Sequence, residues 1–93
     1  MKPPADGIPA DDDRRGPIKR SVMIAGHATS ISLEPVFWTA LAGAATAEAL
    51  PLSALVARID AERIRHPRPA NLASAIRVWL FRRALASRAD GAP

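Results

Sequence analysis

The sequence predicts a mainly α-helical fold led by a short β-ribbon, and three features carry that expectation. Apolar residues alternate with period two from Ser21 to Leu33, and the spacing turns helical directly after Leu33. Two later stretches, around Leu52–Ile59 and Leu72–Leu80, repeat the helical spacing and are separated by breakers. Within 21–33 the parity of the apolar set changes, since Val22 and Ile24 are even whereas Thr29, Ile31 and Leu33 are odd. One flat strand cannot put both sets on one face. A type II′ turn at Gly26-His27 repairs this and pairs Ile24 with Thr29 and Val22 with Ile31; one long strand with a bulge is the other geometry.

Glu34 then stands as the N-cap of a first helix, with Pro35 at its first position and Phe37, Leu41 and Ala45 four apart, running to about Ala49. Leu50-Pro51-Leu52 breaks it. Ser53 begins a second helix, with Leu52, Leu55, Val56 and Ile59 in one stripe, ending near Arg65. His66-Pro67-Arg68-Pro69 forbids continuation. Asn71 caps a third helix that runs to about Leu85, with Arg82, Arg83 and Arg88 crowding its C-terminal end, where the helix dipole favours cations. On that helix Ile76, Val78, Trp79, Leu80 and Phe81 point all round, which calls for burial on more than one face, inside a dimer or by a second interface.

A chain of 93 residues holds one small domain and no deep interdomain cleft. The absence of cysteine removes disulfides, thiol nucleophiles and cysteine-based zinc sites. The net charge is +4, distributed as −3 over residues 1–13, +4 over 14–33, −3 over 34–62 and +6 over 63–93. The first block, with three prolines and four aspartates, reads as a disordered tail. The domain organisation is therefore a tail over 1–18, a folded unit over 19–85 and a second tail over 86–93. Lys2, Pro3, Pro4 and Asp6 follow Met1 at once, so no secretory signal is expected. The uncharged stretch Pro35–Ala47 is too short to span a bilayer. The expectation is a cytoplasmic protein without membrane contact. Twenty residues are alanine and four are aromatic, so a lone protomer has little area to bury and self-association is expected.

His27 and His66 lack any ligand-spaced companion, and Asp11-Asp12-Asp13 lacks the alternation of a calcium loop, so no metal site is expected. No Gly-x-Ser-x-Gly elbow or nucleotide phosphate loop occurs. Neither catalytic residues nor a cofactor are expected.

The segments KRSVMIAGHATSISLEPVFWTAL, LPLSALVARIDAER and NLASAIRVWL together resemble the ribbon-helix-helix proteins, the superfamily of the Arc and methionine repressors, and most of all their small alphaproteobacterial subfamily. The likeness covers about residues 19–82. It implies an intertwined homodimer, here with an extra N-terminal strand and a third C-terminal helix, in which one strand from each chain forms a ribbon that enters the DNA major groove. Carried over by position, Ala28, Ser30 and Ser32 face the bases, while Ile31, Leu33, Phe37, Leu41, Leu55, Val56 and Ile59 form the dimer core. The amides around Leu52, Ser53 and Ala54 hold a phosphate at a helix N-terminus. Arg14, Arg15, Lys19 and Arg20 flank the ribbon as phosphate contacts. Typical relatives carry Arg, Lys, Asn or Gln on the outward strand positions, whereas this chain carries Ala, Ser and Ser.

Two functions are weighed on these grounds: a dimeric DNA-binding regulator of transcription that reads double-stranded DNA, and a protein-interaction or assembly module that keeps the dimer without reading bases. The cations at 14, 15, 19 and 20 favour the first. Ser30, Ser32 and Glu34 favour the second. Tetramer formation or a protein partner at the third helix fits either.

Overall fold

The computed structural model describes residues 16–91; of the tail expected over 1–18, residues 1–15, with Arg14 and Arg15, lie outside the described residues, and Ile18 already belongs to the first strand. Strand β1 (Ile18–Ile24) and strand β2 (His27–Leu33) form a two-stranded antiparallel hairpin, followed by α1 (Pro35–Ala47), α2 (Leu52–Ile64) and α3 (Leu72–Gly91). The chain is therefore a β-ribbon followed by helices, and the ribbon is made within one chain.

The parity change is resolved by a hairpin, but the turn lies one residue earlier than expected. Ala25 (φ 51°) and Gly26 (φ 82°) are its central residues, and positive φ at both is the type I′ geometry rather than II′. The register follows: Ile24 opposes His27, Val22 opposes Thr29 and Ile18 opposes Leu33, so the expected pairs are displaced by two residues. A two-residue displacement preserves the faces. Val22, Ile24, Ile31 and Leu33 all point to the core, and all four are buried. A Cβ at Gly26 meets nothing within 4 Å, so the turn requires its backbone freedom and not its size.

Pro35 at N1 starts α1 with Glu34 in extended conformation, but the Glu34 side chain makes no capping bond. At the other end α1 closes as a Schellman motif: Leu50 N–H donates to the Ala45 carbonyl, Ala49 N–H to that of Thr46, and Ala49 takes φ 57°. The helix is thus two residues shorter than expected. A left-handed residue other than glycine costs about 1–2 kcal/mol, and glycine gives back about 0.4–1 kcal/mol of that through unfolded-state entropy. Ala25→Gly and Ala49→Gly are therefore each expected to stabilise the chain by about 0.5–1 kcal/mol, read as higher midpoints in urea unfolding. A lower midpoint for either would refute the strain assigned to it.

α2 begins at Leu52 with Pro51 as N-cap, so Ser53 is its second residue, and it meets α1 at 99°. Asn71 caps α3 as expected: its Oδ1 accepts the Ser74 N–H at 2.8 Å. α3 continues to Gly91 rather than stopping near Leu85, so residues 86–91 are helical where a tail was expected. No single helix among the described residues is long and apolar enough to cross a membrane.

The hairpin lies over the helices, β1 against α2 and β2 against α1 and α3. Leu33, Leu41, Leu55, Val56 and Ile76 are fully buried at the centre, with Trp38, Ile59 and Leu80 around them. Ile31, Leu33, Leu41, Leu55, Val56 and Ile59, the residues that the resemblance places in a dimer core, are already buried within the single protomer. The added strand β1 and helix α3 cover those residues within one protomer, and Phe37 is half-buried at the edge. Within the protomer α3 buries one face. Ile76 and Leu80 are inside, whereas Val78, Phe81 and Leu85 are about half exposed or more.

Candidate nucleic-acid interface

The outward face of the hairpin is built by parity from Lys19, Ser21 and Met23 on β1 and Ala28, Ser30 and Ser32 on β2. Met23 opposes Ala28, Ser21 opposes Ser30 and Lys19 opposes Ser32. Ser32 is partly buried and the other five are exposed. The face is therefore narrow, with Met23 and Ala28 giving apolar contact near the turn, small hydroxyl side chains in the middle and one cation at the helix end. Ala28, Ser30 and Ser32 all sit on it. Residues 27–33 make no backbone hydrogen bonds beyond those to β1 among the described residues, which leaves the second edge of β2 open.

Lys19 and Arg20, expected to act together, are on opposite faces. Arg20 shares parity with Val22 and Ile24, and its guanidinium lies 5.3 Å from the Trp38 ring centroid. Trp38 is in turn buried and donates from Nε1 to the Ile18 carbonyl at 2.8 Å. The stack fastens the start of β1 to α1 and turns Arg20 away from the outward face. The signal was in the sequence, because an even position in β1 is a core-side position.

At the start of α2, Ala54 N–H donates to the Pro51 carbonyl at 3.0 Å, so this amide, expected to meet a phosphate, is already occupied. The N–H groups of Leu52 and Ser53 have no backbone acceptor and no side-chain cap among the described residues. They are the donors that a helix N-terminus offers an anion.

Glu34, at the junction of ribbon and helix, does not present a bare negative charge. Arg77 of α3 reaches it with Nε at 2.9 Å and with a second guanidinium nitrogen at 2.8 Å. A hydrogen bond from its own backbone N–H, followed by Arg77, holds its carboxyl below the usual carboxylate range. Glu48 is clasped likewise between Arg58 at 3.2 Å and Arg83 at 3.0 Å, which lowers its pKa and ties the end of α1 to α2 and α3. Sequence reasoning missed all three ion pairs, since the partners lie 10 to 43 positions apart. His27 and His66 are exposed in the hairpin and the linker, and the described residues contain no cluster of ligating side chains fit for a metal ion.

A strand-led set of helices with a small polar ribbon face defines the class of the protein, and the family comparison agrees with it. The ribbon-helix-helix domain family model matches residues 17–84, most of the chain, and the chain belongs to that family. Its domains are generally DNA-binding transcription regulators. No match was found among curated proteins or among solved structures.

Proposed function

We propose that the chain is a DNA-binding regulator whose hairpin enters the major groove with Lys19, Ser21, Met23, Ala28, Ser30 and Ser32 toward the bases. The observation that carries this reading is the continuous exposed face on a ribbon, in a chain of the ribbon-helix-helix family. Hydroxyls bond base edges without strong preference, and Met23 and Ala28 offer apolar contact to thymine methyls. Affinity then rests on phosphates, held by Lys19, by Arg14 and Arg15 preceding β1, and by the Leu52 and Ser53 amides at the start of α2. Two copies, each with its hairpin in one half-site, double the phosphate contacts and give the assembly a two-fold axis suited to a palindromic site.

Fluorescence anisotropy on random duplexes at about 50 and 200 mM salt tests this. Binding is expected to be weak and steeply salt-dependent. Ser30→Glu, on the outward face, and Ser53→Glu, at the helix start, each weaken it at least about tenfold, or ~1.4 kcal/mol. Arg20→Ala leaves it unchanged, because Arg20 is committed to Trp38. Absence of any complex at the lower salt would overturn the proposal. The assembly-module reading would then stand, favoured by exposed Val78, Phe81 and Leu85 on α3.

A further inference from the structure

The largest block of positive charge in the chain is not at the ribbon. The C-terminal block of +6 is carried by the end of α2, the following linker and α3. There the fold forms an open, shallow groove of about 360 Å³, at the lower end of the size range of small-ligand sites. Its apolar side is Ile59, Ala75, Val78 and Trp79. Its polar side is Arg63, His66, Arg68 and Arg82, against one acid, Glu62.

The linker that forms one wall is braced before any ligand arrives. Arg63 donates from Nε to Asp60 at 2.8 Å and from a terminal nitrogen to the Ala70 carbonyl at 2.9 Å. Arg68 N–H donates to His66 Nδ1 at 3.2 Å, and Pro67 and Pro69 fix φ on either side. Arg68 and Arg82 make no side-chain hydrogen bond or ion pair among the described residues, although each carries five donors. The groove thus combines an indole wall, two uncommitted guanidinium groups and a stiffened mouth. Preorganisation of this kind lowers the ordering cost of binding.

We propose that this groove binds a small planar apolar molecule carrying a carboxylate or phosphate, with its ring against Trp79 and its anion between Arg68 and Arg82. Such a ligand meets both halves of the lining, whereas a neutral aromatic leaves the guanidinium groups unused and a bare anion leaves the apolar side wet. The site uses none of the hairpin residues and does not rest on DNA binding.

The test is an amide and indole NMR titration of the full chain with 1-naphthoate, beside 1-naphthalenemethanol and inorganic phosphate. 1-Naphthoate should shift the Trp79 indole N–H and the amides of 63–70 and 75–82, leaving 27–33 in place. Arg68→Ala and Arg82→Ala, both at exposed positions, should each weaken binding about tenfold, the effect of losing one charge-assisted hydrogen bond. Equal affinity for the alcohol would reduce the site to an apolar dent, and equal shifts with phosphate would reduce it to a basic surface. Shifts of the same resonances on dilution without ligand would show a second copy covering the groove. Silence up to about 10 mM 1-naphthoate, a concentration far weaker than useful small-ligand affinities, would overturn the proposal outright.

Discussion

Trp38→Ala is expected to destabilise the chain by about 3–5 kcal/mol, the largest effect of any single side chain described here. The indole is 5% exposed, fills the junction of hairpin and α1, bonds the Ile18 carbonyl and supports the Arg20 stack. Alanine removes all three contributions and leaves a cavity beneath β1. Trp38→Phe keeps most of the packing but strands the Ile18 carbonyl, at about 1–3 kcal/mol for an unsatisfied polar group. Arg20→Ala falls below about 1 kcal/mol, the scale of an exposed cation–π contact. Urea unfolding followed by far-ultraviolet circular dichroism ranks the three variants. A Trp38→Phe variant as stable as the parent would mean that the indole hydrogen bond contributes nothing to holding the strand.

Ile76→Ala is expected to cost about 2–5 kcal/mol. At 0.05–0.15 kcal/mol per residue a domain of this size has roughly 4–11 kcal/mol in all, so this change removes a large share of it. The value decides how the core is closed. Ile76 is fully buried on α3, the helix packed beneath β2, and with β1 it covers the residues that a minimal strand-helix-helix chain would leave for a partner. The denaturant midpoint should fall with the slope unchanged, as for loss of packing in an intact fold. A cost below about 1 kcal/mol, within the range of ordinary surface substitutions, would show that α3 is an appendage and that a second chain closes the core.

The stability of α3 also bears on its exposed stripe. Phe81 is 63% exposed while Leu80 beside it is buried, so the helix is held by one face and presents the other. Apolar side chains at 78, 81 and 85 interleave with Arg82 and Arg88. Arg83 is turned back over Trp79, 5.7 Å from its ring centroid, and onto Glu48. The like charges disfavour self-pairing along this stripe.

The order of elements was legible in the sequence because local physics fixes it. The change from period two to helical spacing at Leu33, Pro35 at a helix start, the break around Pro51 and the Asn71 cap each act through neighbours a few residues away. Face assignment in the hairpin was legible for the same reason. Any even displacement leaves Val22, Ile24, Ile31 and Leu33 inside, so the core face was right although the register was two residues off. Ala25 decided the register, since its residue type does not announce a left-handed conformation, and the sequence offered Gly26 as the more obvious first turn residue. The site was half legible: small residues on an outward ribbon face follow from alternation, and parity already placed Arg20 on the other side. The tertiary structure alone decided the rest. Glu34 meets Arg77 and Glu48 meets Arg83 across chain separations of 43 and 35 residues, Arg68 and Arg82 line one groove with Trp79, and β1 and α3 bury the central residues of the protomer. Those outcomes depend on which helix face packs beneath which strand, and that is set by the summed burial of the whole core rather than by any window of sequence.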